Sequence, residues 1–293
     1  MERVLNNYLI NYLTKFHILA NNQYGFRYGI STEDAVVDLV QSVADKLDRK
    51  LKCYGIFLDL SKAFDTVCIS KLIEKMENLG IRGLALDIFK DYLSDRRHSM
   101  KIDSIVSAEE EITFGVPQGS VLNPTLFQIY VKDLCNLSVV NCDIFTYADD
   151  TALVTYGKSW DDAKLRTENA LRRVMHWLAS NLLTLNVSKT KFLRFILPHT
   201  PKPVEGTGNL IAHNCPHNSD ACTCLSLTRV ESIKYLGVFV DHNLDWTTQL
   251  ESLTSRIRRL IYIFKNQVLQ EPKGSQRITI LSEWFTWLCV NPS

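Results

Sequence analysis

Residues 142–156 read CDIFTYADDTALVTY: two strand-like runs, CDIFTYA and TALVTY, on either side of Asp149-Asp150. Alternating β-branched and aromatic residues with polar residues between them predict a hairpin with its acids at the tip. Acids are common turn residues, so by itself the pair reads as a capped turn. A second acid changes the picture. CYGIFLDL (53–60) is an apolar run of strand length with Asp59 inside it. A buried carboxylate must be neutral, paired or metal-bound. If the two strands lie side by side, Asp59, Asp149 and Asp150 converge at one end of a sheet. Their repulsion would raise their pKa values unless divalent cations occupied the gap. Hard oxygen ligands on an open site suit Mg²⁺, held by one or two carboxylates plus substrate phosphates. Two such ions serve phosphoryl transfer, activating the attacking oxygen and stabilising the leaving group.

Outward from these strands, helices alternate with further strands. Apolar spacing predicts helices from Met1 to Phe16, from Ser31 (with Thr32, Glu33 and Asp34 as cap and first-turn acids) to Lys50, over 70–79 and 84–93, over 121–134, and from Trp160 to Ser180. Short strands are expected near 99–105 and 109–114, at KFLRFIL (191–197) and at SIKYLGVFV (232–240), with a helical end from about residue 247. Two hairpins exclude a uniformly parallel sheet, so an α+β sheet with helices on one face is expected. The 293 residues are 46% hydrophobic, which excludes a disordered chain, and 33 Lys plus Arg against 32 Asp plus Glu argues against a histone-like binder. Eight cysteines are too few for a disulfide scaffold. No apolar run approaches 18 residues, and no signal-peptide core or targeting run is visible, so free thiols and an intracellular chain off the membrane are expected.

FLDLSKAFDTV (57–67), GVPQGSVLNPTLF (115–127), FTYADDTAL (145–153), LLTLNVSKTKFL (182–193) and KYLGVFVD (234–241) occur in that order. Together they resemble the successive palm motifs of reverse transcriptases from non-LTR (LINE-like, jockey-type) retrotransposons, and QYGFRYGISTEDA (23–35) resembles the preceding fingers motif. The resemblance spans about residues 1–250. It implies a right-hand polymerase: an antiparallel palm sheet backed by helices, with partial fingers and a truncated helical thumb. The expected division is 1–52 and 66–115 fingers, 53–65 and 116–245 palm, and 246–293 thumb. It further implies an RNA-directed DNA polymerase using two Mg²⁺ ions (Mn²⁺ as substitute), an RNA template, a DNA primer or nicked target DNA, and dNTPs, acting in nucleus and cytoplasm.

By that resemblance Asp59 and Asp149 bind both ions with Asp150 beside them, and the Leu60 carbonyl completes one shell. Main-chain N–H groups near Lys62 and Ala63 face the triphosphate, and Phe64 is the steric gate against a 2′-hydroxyl. Gln118 and Gly119 contact nucleotide and template; Lys189, with Lys191 close by, lies near the leaving pyrophosphate. Arg27 contacts phosphate or template, Tyr235, Leu236 and Gly237 grip the primer end, and Arg258 lies in a basic run (Arg256, Arg258, Arg259, Lys265) suited to a nucleic-acid backbone. Two departures from the pattern are expected: Met1 falls partway into the fingers, and the thumb is cut short, with no room for an endonuclease or RNase H region. A non-catalytic nucleic-acid-binding remnant is the competing reading. An RNA-dependent RNA polymerase is disfavoured by Phe64. His213, Cys215, His217, Cys222 and Cys224 are zinc-ligand types at spacings unlike the usual fingers, so a variable insertion without zinc is expected.

Overall fold

Strand β1 (Lys52–Leu58) is buried at every position from Cys53 to Leu58, which requires a strand covered on both faces. The computed structural model describes residues 1–197, 209–212, 224 and 226–270, the last six without their side chains. It divides into two units, Met1–Val230 and Glu231–Ser293.

In the first unit β1 pairs antiparallel with β7 (Asp150–Gly157) and β8 (Lys191–Phe195), and β7 pairs antiparallel with β6 (Cys142–Tyr147). A two-residue edge strand, β9 (Thr228–Arg229), joins β8 in parallel, giving the order β6-β7-β1-β8-β9. The predicted α+β sheet is therefore present, antiparallel except at one edge.

Helices cover both faces rather than one. On one face lies α6 (Trp160–Ser180): its Thr167 hydroxyl meets that of Thr155, and Trp160 meets Tyr54 edge-on at 5.7 Å. On the other lies α2 (Thr32–Asp48), whose Ser42 and Lys46 both reach Asp143 of β6. Register explains the correction. Cys53, Phe57, Ala152, Val154 and Phe145 all point away from α6, and all are buried. Burying each such large apolar side chain contributes about 1.5–3 kcal/mol, so leaving that face wet would be costly. The predicted cap of α2 is present as a reciprocal pair between Ser31 and Asp34.

Beside α6, the core continues into α5 (Asn123–Cys135), which has Pro124 in its first turn. The fully buried Tyr130 of α5 accepts a hydrogen bond from the Cys68 N–H and donates to the Asn181 carbonyl, tying α3 (Ile69–Asn78) to the end of α6. Helices α1 (Glu2–Lys15) and α4 (Leu84–Leu93) complete this unit's helical layer. Between α4 and α5 the sequence predicts two strands. The structure instead nests two short pairings, β2 (Arg97–His98) with β5 (Glu110–Glu111) and β3 (Lys101–Ile102) with β4 (Ile105–Val106). Asp103, left-handed at φ 52°, turns the chain back inside the first expected strand.

The second unit contains a hairpin, β10 (Ser232–Tyr235) and β11 (Val238–Asp241), and α7 (Thr247–Gln270). Among the described residues no helix is long and apolar enough to cross a membrane. His213, Cys215, His217 and Cys222, as well as the Lys265 side chain, lie outside the described residues. Cys53, Cys135 and Cys142 form no disulfides, and burial raises their thiols to about 12, 11 and 12, which keeps them unreactive.

Candidate active site

The antiparallel register of β1 and β7 ends at Leu58 opposite Thr151. Asp59 and Asp150 are each one residue beyond that pair, so they face each other across the end of the sheet. Asp59 thus stands just past its strand, half-buried, rather than inside it as the sequence reading has it. Asp149 occupies the two-residue turn between Tyr147 and Asp150, beside Ala148, whose φ is 57°. A positive φ at the first central position is what tight hairpin turns demand, and alanine holds it at a cost of about 1–2 kcal/mol.

Asp150 keeps an edge open to solvent, yet its carboxyl is raised to about 6, first by the water that the surrounding protein removes and then by repulsion from Asp149 and Asp59. Three acids therefore interact at one sheet end. Among the described residues no three His, Cys, Asp or Glu side chains form a ready-made metal cluster. The donor chemistry still suits a hard divalent ion, because Mg²⁺ is normally held by one or two carboxylates and completed by phosphate oxygens. A cation there would relieve the repulsion that raises Asp150.

The hairpin turn has a buttress that sequence reasoning missed. Asn22 and Tyr24 bracket Thr146: Thr146 N–H donates to the Asn22 carbonyl at 3.0 Å and Tyr24 N–H to the Thr146 carbonyl at 2.8 Å. This adds a one-residue parallel bridge at Gln23 to the open edge of β6. Gly25 then lies directly against the turn, where a Cβ would stand 2.4 Å from the Ala148 nitrogen. The Gln128 amide of α5 donates to the Gly25 carbonyl and holds it there. Arg27, expected on template or phosphate, donates to the carbonyls of Ala20 and Gln23 at 3.0 and 3.1 Å and so shapes this same loop. Glycine beside an aromatic in QYGFR was the available signal.

Asp59 has support on its other side. Asn186 N–H donates to the Asp59 carbonyl at 2.8 Å, Ser61 N–H donates to Thr184 at 2.9 Å, and Leu60 bridges Leu185. Lys189 is exposed in this segment, whereas Lys191 turns its ammonium to the Ser188 carbonyl at 2.7 Å.

Beyond Leu60 the chain forms a turn with Lys62 left-handed and exposed, Ala63 buried, and Phe64 half-buried against Phe127 at 4.2 Å between ring centres. The glycine-rich loop before α5 packs onto that turn. Val116 N–H donates to the Phe64 carbonyl at 3.1 Å, the Gln118 amide to Asp65, and Gly115 approaches Asp65 so closely that a Cβ would meet its carbonyl at 2.8 Å. Arg96 is spent on the Gly115 carbonyl. Gly119 is left-handed at φ 76° with open space where a side chain would stand. The first unit thus brings Asp59, Leu60, Lys62, Ala63, Phe64, Gln118, Gly119, Asp149 and Asp150 together around one sheet end.

In the second unit Leu236 and Gly237 are the two turn residues of the β10–β11 hairpin, at φ 48° and 88°, with Tyr235 buried beside them. Arg258 is exposed on α7.

Residues 1–240 match the protein family described as reverse transcriptase (RNA-dependent DNA polymerase). The chain is 30% identical over 264 residues to the probable RNA-directed DNA polymerase from transposon BS of Drosophila melanogaster, covering 87% of this chain and 27% of that protein. It is 28% identical to the RNA-directed DNA polymerase from mobile element jockey of the same species, covering 88% of this chain and 27% of that one. The chain therefore spans about a quarter of the length of these curated relatives. Among solved structures, apo telomerase from Candida tropicalis aligns with a TM-score of 0.56 at 11% identity, over 84% of this chain and 40% of that chain. Telomerase from Candida albicans in complex with a fragment of telomeric RNA aligns at 0.55 and 15% identity, over 83% and 37%. These two likenesses concern the fold.

Proposed function

The chain belongs to the reverse transcriptase (RNA-dependent DNA polymerase) family, and from that premise we propose that it is the core of an RNA-directed DNA polymerase of a non-LTR retrotransposon. The reaction is attack of a primer 3′-hydroxyl on the α-phosphate of a dNTP, with pyrophosphate leaving. The observation that carries this reading is the convergence of Asp59, Asp149 and Asp150, with Asp150 raised by burial and then by its two neighbours.

Asp59, Asp149 and Asp150, with the Leu60 carbonyl, are the residues to hold two Mg²⁺ ions, or Mn²⁺ in their place. When bound, such ions supply electrostatic stabilisation to the attacking and leaving oxygens. The Phe64 ring, backed by Phe127, restricts space at the sugar and excludes a 2′-hydroxyl. The turn N–H groups near Lys62 and Ala63 orient the triphosphate, since successive backbone N–H groups make an anion-binding concavity. Gln118 and Gly119 border the nucleotide, and exposed Lys189 is placed to protonate or balance the leaving pyrophosphate. Arg27 serves the template by shaping the 20–27 loop. Tyr235, Leu236 and Gly237 serve the primer end, and Arg258 the duplex backbone. In domain terms, 1–52 and 66–115 act as fingers, 53–65 and 116–245 as palm, and 246–293 as thumb. Template RNA, primer or nicked target DNA and dNTPs are the partners, in nucleus and cytoplasm.

Primer extension on an RNA template with dNTPs and Mg²⁺ tests this. Wild-type chain should extend, and Asp149→Asn should lose at least about 10²–10³-fold in rate, as removal of a key electrostatic group does. Template–primer binding with no extension by the wild-type chain would refute the catalytic reading in favour of a binding remnant.

A further inference from the structure

Asp59 lies one residue past the end of β1, so the sheet ladder no longer fixes its backbone. Its N–H instead donates to the hydroxyl of Thr190 at 3.2 Å. That hydroxyl itself donates to the Asn186 carbonyl at 2.9 Å, and Thr190 is fully buried. Each partner fixes the other. With its proton committed to Asn186, Thr190 Oγ1 presents a lone pair to Asp59. The Asn186 N–H closes the circuit on the Asp59 carbonyl. Both peptide groups of Asp59 are thus held by one turn, residues 186–190, and the next residue, Leu60, makes an isolated bridge to Leu185 just before that turn.

Resting on the polymerase reading, we propose that Thr190 is a positioning residue that sets the placement of the Asp59 carboxylate for metal binding. The ammonium of Lys191 goes to the Ser188 carbonyl and Lys189 joins the turn through its main-chain N–H, so the side-chain group that reaches Asp59 is the Thr190 hydroxyl. Valine matches threonine in shape but can neither accept from Asp59 nor donate to Asn186. The Asn186 carbonyl keeps the Thr190 and Lys189 N–H groups, whereas the Asp59 N–H, half-buried, loses the hydroxyl that holds it. Serine retains both bonds. Groups that orient a metal's ligands typically matter by about 10–100-fold in metal affinity, and that is the scale expected here.

The experiment uses the full chain in three forms: wild type, Thr190→Val and Thr190→Ser. Mn²⁺ binding is titrated by electron paramagnetic resonance, alongside single-nucleotide extension on an RNA template–primer. Thr190→Val should weaken Mn²⁺ binding by about tenfold or more. It should lower kcat by a similar factor with the dNTP KM changed by no more than about twofold, the pattern of a defect confined to the reacting centre. Thr190→Ser should restore both to within about threefold of wild type, since both hydrogen bonds return. A folded Thr190→Val chain with wild-type Mn²⁺ binding and kcat overturns the proposal, as does a Thr190→Ser chain no better than the valine form. If the valine chain lacks the wild-type circular dichroism spectrum, Thr190→Cys decides: a thiol is a weak partner for both bonds, and wild-type Mn²⁺ binding in that variant also overturns it. A wild-type chain that binds Mn²⁺ without extending primer refutes the polymerase reading alone, and the binding comparison still judges Thr190. A wild-type chain that binds no Mn²⁺ overturns both.

Discussion

Gly25→Ala should disable catalysis more than it disables folding. The added methyl would stand 2.4 Å from the Ala148 nitrogen, 3.1 Å from the Tyr147 carbonyl carbon and 3.3 Å from the Ala148 Cα. All three are backbone atoms, so no flexible tip can swing aside. Ordinary contact begins near 3.4 Å, leaving a shortfall of about 1 Å. The loop cannot simply retreat, because Asn22 and Tyr24 bind Thr146 and Gln128 grips the Gly25 carbonyl. The turn carrying Asp149 must therefore move by much of that ångström. Overpacking of this kind costs about 1–3 kcal/mol of stability. A misplacement of about 1 Å at reacting groups costs about 10²-fold in rate, equivalent to about 2.7 kcal/mol of activation free energy. Single-nucleotide extension should show that loss in kcat, with thermal unfolding followed in parallel to confirm a folded chain. A Gly25→Ala chain that melts cooperatively and extends within about twofold of wild type would refute the buttress, because catalysis depends this steeply on distance.

Phe64→Val should relax sugar selection. Ribonucleotide incorporation should rise at least about tenfold relative to dNTPs in competition assays, the discrimination expected of an apolar pocket, and unchanged selectivity would remove Phe64 as the gate. Asp150→Asn tests the electrostatics of the metal-free chain. Because burial and its two acidic neighbours raise the folded carboxyl to about 6, the folded state holds the proton more tightly than the unfolded one. Its contribution to stability is complete below the ordinary value of 3.8 and is lost as pH rises through about 6. In chelator at pH 7.5 the asparagine chain should therefore melt higher than wild type, with the difference shrinking toward pH 4; a lower melting temperature at pH 7.5 would contradict the repulsion.

Much of this fold could be read from local periodicity. The hairpin bearing Asp149 and Asp150, the Ser31–Asp34 cap and the amphipathic face of α6 all follow from residues a few positions apart, and each is present. The hairpin turns one residue earlier than the sequence predicts, at Ala148-Asp149, with Asp150 already paired to Tyr147. Structure and sequence reading differ where a choice depends on distant partners. CYGIFL is apolar at every position, which fits either a strand sandwiched between helices or a short buried run of any kind. The burial of both faces of β1 and β7, with α2 placed against Asp143, shows that both are covered. Likewise Asp103 turns left-handed within a stretch whose composition alone reads as one strand.

The site divides along the same line. Its acids stood out because a carboxylate is anomalous in apolar surroundings, and an anomaly is visible in one sequence. What holds those acids is not anomalous. Gly25, Gln128, Thr146, Asn186 and Thr190 are ordinary residues for turns, helices and strand ends, and their importance lies in bonds spanning 103 positions for Gln128–Gly25 and 131 for Asp59–Thr190. Such pairings have no period, so no window of sequence contains them. Arg27 shows the converse. A cation in a loop invites a phosphate, but here the loop's own carbonyls engage the guanidinium. Its substitution should therefore act through the Gly25 contact with the turn as much as through charge. On this geometry the two supports of the acidic cluster are separate in sequence yet converge on it: residues 22–27 brace Asp149, and residues 186–190 brace Asp59. Damage to either should misplace one acid relative to the others while the sheet beneath them stays folded.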